Sequence, residues 1–162
     1  MMTDFVHKVS LDRQDIRILE LLQSDSQISR SDLAERVNLS ASQCFRRLKR
    51  LEQSGLIERY VALLNRECAG LDVSAMVMVS FSKTLPGARD NVIELVRALD
   101  EVQECYSASG EYDFILKVNC PTMKDYSELI NQKLLCDSVV SMHSYIFLEC
   151  LKYSTALPLR TS

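Results

Sequence analysis

The chain has 162 residues, 47% of them apolar and 25% charged, and a net charge of −3. That balance specifies a folded globular protein of one domain or two small ones, and it excludes both a disordered tail and a generic polycationic binder of nucleic acid. The opening MMTDFVHKVSLD holds no apolar stretch of signal-peptide length and no run of about 18 apolar residues follows, so a cytoplasmic location without membrane contact is expected.

The first half reads as helices. In LDRQDIRILELLQSD, Asp12 is a cap, and Ile16, Leu19 and Leu22 at three-residue steps give one apolar face. SRSDLAERV follows, with Ser29 and Asp32 spaced as in a capping box and Leu33, Ala34 and Val37 as its buried side. After Asn38-Leu39 comes SASQCFRRLKRLEQSG, where Ser40 and Gln43 form an S-x-x-Q box and Gly55 is a C-terminal stop. Three short helices with a tight turn between the second and third make a helix-turn-helix pattern.

At 100° per residue the third helix turns Cys44, Phe45, Leu48 and Leu51 to one side. Ser42, Arg46, Lys49, Arg50 and Gln53 lie on the other, with Gln43 and Arg47 at the flanks. A basic face of this kind is often only solvated. Behind a capped helix and a short turn, however, it is placed to enter the major groove, where Arg reads guanine, Gln reads adenine, and Lys or further Arg neutralise phosphates. The candidate DNA-binding residues are Ser40, Ser42, Gln43, Arg46, Arg47, Lys49 and Arg50, and the partner they imply is double-stranded DNA. GLIERYVALLN alternates loosely and suggests a small strand pair, a wing.

From Val73 the period becomes two. VSAMVMVSF sets Val73, Ala75, Val77, Val79 and Phe81 on one face and Met76 and Met78 on the other. PGARDNVIELVRALD is helical, with Val92, Leu95, Val96 and Leu99 at helical spacing behind the Pro86-Gly87 break. VQECYSAS and DFILKVN read as strands joined at Gly110, TMKDYSELINQKLL as a second helix, and VSMHSYIFLECLKY as a closing strand. The order βαββαβ predicts an α+β fold: a winged helix-turn-helix domain over residues 1–65, then a ferredoxin-like domain over residues 66–162 with both helices on one face of an antiparallel sheet. Met76, Met78 and the apolar SYIFL leave the other face too apolar for water, so a homodimer that covers both copies of it is expected.

Residues 1–65 hold ten Lys/Arg against nine Asp/Glu, and residues 66–162 hold nine against thirteen. The basic patch therefore sits in the less acidic half. Six cysteines, Cys44, Cys68, Cys105, Cys120, Cys136 and Cys150, show no CxxC pairing, and His7 and His143 stand alone. Reduced, mostly packing thiols and no metal or other cofactor are expected. With no nucleophile–base pair and no phosphate loop among four glycines, an enzyme is not expected.

The stretch SASGEYDFILKV, residues 107–118, leaves two readings open. Ser, Gly and Asp are what a hairpin connection needs, and they are also what a small-molecule site uses.

LDRQDIRILELLQ, NLSASQCFRRLKRLEQSGLI, VALLN, GEYDFILKV and KYSTALPL occur in this order over nearly the whole chain, which thereby resembles the Lrp/AsnC family, the feast/famine transcription regulators. The resemblance implies a DNA-binding helix-turn-helix domain, a linking strand, a ferredoxin-like ligand-binding domain, dimers that assemble into tetramers of dimers (octamers), and an amino-acid effector. It carries a binding role onto Gly110, Tyr112 and Asp113, with Tyr106, Met123, Tyr145 and Phe147 matching positions that line or tune the pocket. Gln43 stands where many relatives have proline, and CDSVVS replaces a common LPGV turn. The other readings of the residues are an architectural DNA-binding protein without effector and a regulator that senses oxidation through Cys105.

Overall fold

The computed structural model describes residues 9–161, so His7 lies outside the described residues. Two units divide the described residues: 63–151 form one, and 9–62 together with 152–161 form the other. The sequence division at 65/66 places the C-terminal tail in the second unit; its contacts place it in the first. There the side chain of Gln23 accepts from Leu157 N–H at 2.6 Å and donates to Leu157 O at 3.3 Å, and Leu159 packs against the first core.

Three capped helices build the first unit. Asp15 N–H donates to Asp12 Oδ1 at 2.9 Å and Asp12 N–H donates to Asp15 Oδ2 at 3.1 Å, a reciprocal box that starts α1, Arg13–Ser24. Ser29 caps α2, Arg30–Arg36, by accepting from Asp32 N–H. Asn38, at φ 54°, turns the chain through the left-handed region that asparagine tolerates. Ser40 and Gln43 then close a second reciprocal box at the start of α3, Ala41–Gln53, and Gly55 at φ 73° ends the helix.

Ile18, Leu19, Leu33, Ala34, Val37, Cys44, Leu48 and Leu51 are buried together between these helices. Two expectations are corrected here. The buried face of α1 centres on Asp15, Ile18 and Leu19 rather than on Ile16, because Asp15 is drawn inward by arginines of α3. Phe45 is 44% exposed, with the Arg30 guanidinium 4.9 Å from its ring centroid, and so is not a core residue.

Residues 58–65 form no strand, so the expected strand pair is absent from these residues. An extended segment makes ladder hydrogen bonds only when a second strand lies beside it. Tyr60, Val61, Leu63 and Leu64 are left exposed.

The second unit follows the predicted order: β1 Val73–Phe81, α4 Ala88–Arg97, β2 Val102–Ser107, β3 Phe114–Cys120, α5 Met123–Glu128 continuing as a π-helical stretch over Leu129–Leu134, and β4 Val139–Ile146. The strands lie in the order β2-β3-β1-β4, and every pairing is antiparallel. Val73, Ala75, Val77 and Val79 alternate onto one face with Phe114, Leu116 and Val118, against Val92, Val96, Tyr126 and Leu129 of the helical layer. β4 is shorter than the expected closing strand. Phe147 N–H makes the last bond, to Ser74 O, and β1 offers no partner beyond Val73.

Candidate functional site

The exposed side of α3 is built by its capping box and its apolar face together. Cys44, Leu48 and Leu51 face the core, which turns Ser42, Arg46, Lys49 and Arg50 outward. Arg46 and Lys49 have no ion partner among the described residues, so their charge is available to an anionic surface. A concave surface lined by Asp12, Phe45, Arg46, Arg47, Lys49, Arg50 and Gln53 runs along this side.

The other predicted DNA-binding residues are engaged within the unit. Gln43 Oε1 accepts from Ser40 N–H at 3.2 Å and from Ser40 Oγ at 3.1 Å, and Ser40 Oγ accepts from Gln43 N–H. Arg47 Nη1 donates to Asp12 Oδ2 at 2.6 Å and to Asp15 Oδ1 at 2.9 Å. Arg50 Nη2 donates to Asp15 Oδ2 at 2.5 Å. The Asp15 N–H bond, followed by the Arg47 guanidinium, holds the Asp12 carboxyl below the usual range, and the same pairing pushes Arg47 up. Local sequence does not reveal these pairs. Asp15, at the third helical position of a D-x-x-D start, reads as a cap alone.

In the second unit Asp113 joins the end of β1 to the start of β3. Phe81 N–H donates to its Oδ2 at 3.1 Å and the Lys83 ammonium pairs with its Oδ1. Its main chain bonds both ways, N–H to Val79 O and O from Ala108 N–H. The Lys83 pair first, then the Phe81 amide, hold its carboxyl below the ordinary range. Lys83 is therefore a partner of a candidate effector residue that sequence reasoning missed, and no spacing marks it. Gly110 has no positive φ, and a Cβ there would meet nothing within 4 Å. Nothing inside this chain requires glycine at that position.

The strand register shows which predicted effector residues share a face. Tyr106, Ile115, Met78 and His143 form one row across the sheet, and Glu104, Lys117, Met76 and Tyr145 form the next, both on the face that the helices leave open. Tyr106 Oη donates to Glu104 Oε2 at 2.7 Å and Lys117 Nζ to Glu104 Oε1 at 2.9 Å; these two bonds lower the Glu104 carboxyl. Tyr112 lies against His143, ring centroids 5.3 Å apart.

One chain does not bring all these residues together. Tyr106 and Tyr145 stand on opposite edge strands, roughly 14 Å apart at ~4.8 Å per strand. Met123 opens α5 at the far end of β3 from Asp113, roughly 20 Å away at ~3.4 Å per residue. Phe147 lies just past β4 rather than on it, and is 43% exposed.

All six cysteines are free. Only Cys44 and Cys120 are buried; Cys68, Cys105, Cys136 and Cys150 are exposed, which corrects the expectation of mostly packing thiols. Although Cys105 reaches solvent, the atoms packed around its sulfur disfavour the charged form and push the thiol up, away from the thiolate that redox sensing needs. Among the described residues no cluster of three potential metal ligands occurs, and no helix is long and apolar enough to cross a membrane.

Comparison with known proteins matches residues 11–58 to a winged helix-turn-helix DNA-binding domain and residues 74–157 to the Lrp/AsnC ligand-binding domain. The chain belongs to the Lrp/AsnC family. It is a DNA-binding transcription regulator with a ligand-binding domain, not an enzyme. It is 36% identical over 152 residues to the leucine-responsive regulatory protein of Escherichia coli strain K12, covering 93% of each chain. A Neisseria meningitidis transcriptional regulator solved as its L-Met complex superposes with TM-score 0.88 at 37% identity, covering 92% of this chain and 97% of that one. An AsnC-family regulator of Agrobacterium tumefaciens gives TM-score 0.85 at 32% identity, covering 91% and 97%.

Proposed function

We propose that this Lrp/AsnC protein is a sequence-specific regulator of amino-acid metabolism whose DNA binding or assembly responds to an amino acid in the cytoplasm. The observation that carries the effector reading is the L-Met complex of the Neisseria relative, which matches this chain at TM-score 0.88. The DNA reading rests on α3, which presents Ser42, Arg46 and Lys49 to a major groove while Ser40 and Gln43 set the helix start.

The effector site is centred on the joint at Gly110, Tyr112 and Asp113. Each carboxylate oxygen of Asp113 has a second lone pair beyond its bond to Phe81 or Lys83, so it can still accept an ammonium. Gly110 leaves room for close approach by a carboxylate. Tyr106, Met123, Tyr145 and Phe147 reach the site from neighbouring copies, which explains why one chain leaves them apart. The open sheet face, with Val140 and Tyr145 more than half exposed, is the dimer surface, and further pairing of dimers completes the pocket.

A thermal-shift screen of the twenty common amino acids tests this, because a ligand that binds the folded form alone raises the melting temperature. One or a few amino acids are expected to stabilise the protein and to change its affinity for DNA. No shift with any of them would contradict the effector reading.

A further inference from the structure

Four cations lie on α3, but two of them are neutralised from within. The carboxylate of Asp15 is 1% exposed and accepts three donors: Asp12 N–H, Arg47 Nη1 and Arg50 Nη2. Asp12 Oδ2 takes Arg47 a second time at 2.6 Å. The carboxylates of Asp12, the cap of α1, and of Asp15 within it therefore offset Arg47 and Arg50, while Arg46 and Lys49 carry the uncompensated charge of the helix.

An ion cluster built on one buried carboxylate is a weak source of stability, because desolvation of Asp15 cancels much of its attraction to Arg47 and Arg50; an apolar contact of the same volume would hold two helices as well. What a charged, directional clasp adds is a single arrangement. Arg47 Nη1 and Arg50 Nη2, from positions three residues apart on α3, converge on the two oxygens of Asp15, and two directional bonds to one buried carboxylate fix the rotation of α3 about its own axis relative to α1. The apolar contacts of Leu48 and Leu51 with Ile18 and Leu19 do not impose that angle as sharply, since apolar packing is non-directional. The rotation decides which side chains point into a groove.

The second consequence concerns charge. Arginines left free on a recognition helix find phosphates of any sequence, which adds affinity without discrimination. Pairing with Asp12 and Asp15 withdraws two such contacts.

We propose that Asp15 is a positioning residue for sequence reading: it holds Arg47 and Arg50 away from the phosphates and sets the rotation of α3, so that discrimination falls to Ser42, Arg46 and Lys49. This rests on α3 being the recognition helix.

The test compares the full-length protein with Asp15→Asn, Arg50→Met and Arg46→Ala. Affinity is measured for a duplex selected by the parent protein from a random-sequence pool and for a scrambled duplex, each over a series of KCl concentrations. Asp15→Asn is expected to bind the scrambled duplex more tightly, with a salt dependence steeper by about one unit, as Arg50 loses its only ion partner while Arg47 keeps Asp12. Its preference for the selected duplex should drop about tenfold. Arg50→Met, at a position half exposed and thus tolerant of change, is expected to leave the salt slope at the parental value while lowering the preference.

Parental preference and slope in a folded Asp15→Asn would overturn the proposal. So would a slope flattened by about one unit in Arg50→Met, which is the signature of a direct phosphate contact. If Asp15→Asn does not fold, the Arg50→Met slope decides alone. Unchanged binding by Arg46→Ala would instead overturn the α3 assignment, a result distinguishable from failure of the clasp.

Discussion

The main-chain N–H of Phe81 donates to Asp113 Oδ2 at 3.1 Å, while the Lys83 ammonium pairs with the other oxygen. Asp113 is thus a structural tie between the end of β1 and the start of β3, and in the proposed effector site it also meets the ligand cation. The two roles separate on substitution.

Asp113→Ala leaves Phe81 N–H without its acceptor and is expected to lower stability by about 1–3 kcal/mol as well as to abolish the amino-acid response. Asp113→Asn keeps an oxygen for Phe81 but loses the charge. It should melt near the parental temperature and still fail to bind the effector in calorimetric titration. Parental affinity in Asp113→Asn would remove the carboxylate from the site.

Lys83 is 65% exposed, so its pair with Asp113 contributes little to stability. It does compete for the oxygen an incoming ammonium needs. Lys83→Met is therefore expected to tighten effector binding by up to about fivefold, the equivalent of the ~1 kcal/mol ceiling on an exposed pair. Weaker binding by calorimetry would show that Lys83 itself serves the ligand.

Met78 lies in the middle of the open sheet face, opposite Ile115 and His143. Met78→Glu puts a charge where a partner sheet would desolvate it, and light scattering should report a smaller assembly than the parent at micromolar concentration. An unchanged mass would place the dimer surface elsewhere.

The folded-state pKa values of Asp12, Asp113, Glu101 and Glu104 are all lowered, the first mainly by the Asp15 amide and the others mainly by side-chain hydrogen bonds. A carboxyl with a depressed folded pKa contributes stability that is fully present above its unfolded value and is lost as pH falls through the folded value. Melting temperature should accordingly hold from neutrality down to the ordinary carboxylate range near pH 4 and drop below it. A melting temperature that rises on acidification would contradict the pairing.

Local signals made most of the architecture legible. The S-x-x-Q start of α3, the stop at Gly55 and the alternation of VSAMVMVSF each depend on residues within one turn or a few strand positions, and each forms as read. What failed was non-local. β4 stops at Ile146 and residues 58–65 form no strand because strand limits depend on a partner that the sequence of one segment does not show. Phe45 lies in the apolar pattern of α3 but is covered by Arg30 from α2. Likewise Arg47 and Arg50 read as free cations because their partners lie 35 and 32, and 35, residues away. Of the proposed effector residues, those of the joint take their role from the family resemblance, since composition alone leaves a turn equally open, whereas Lys83 belongs to a different turn.

If α3 reads DNA and an amino acid alters the reading, one titration shows both. Fluorescence anisotropy of a labelled selected duplex, titrated with the parent protein and with Arg46→Ala, each with and without the amino acid found by thermal shift, tests both most directly. The amino acid is expected to change the parental affinity, and Arg46→Ala to weaken binding to the selected duplex by about 1–3 kcal/mol relative to a scrambled one. Equal affinity of the parent for selected and scrambled duplexes, untouched by the amino acid, would contradict both.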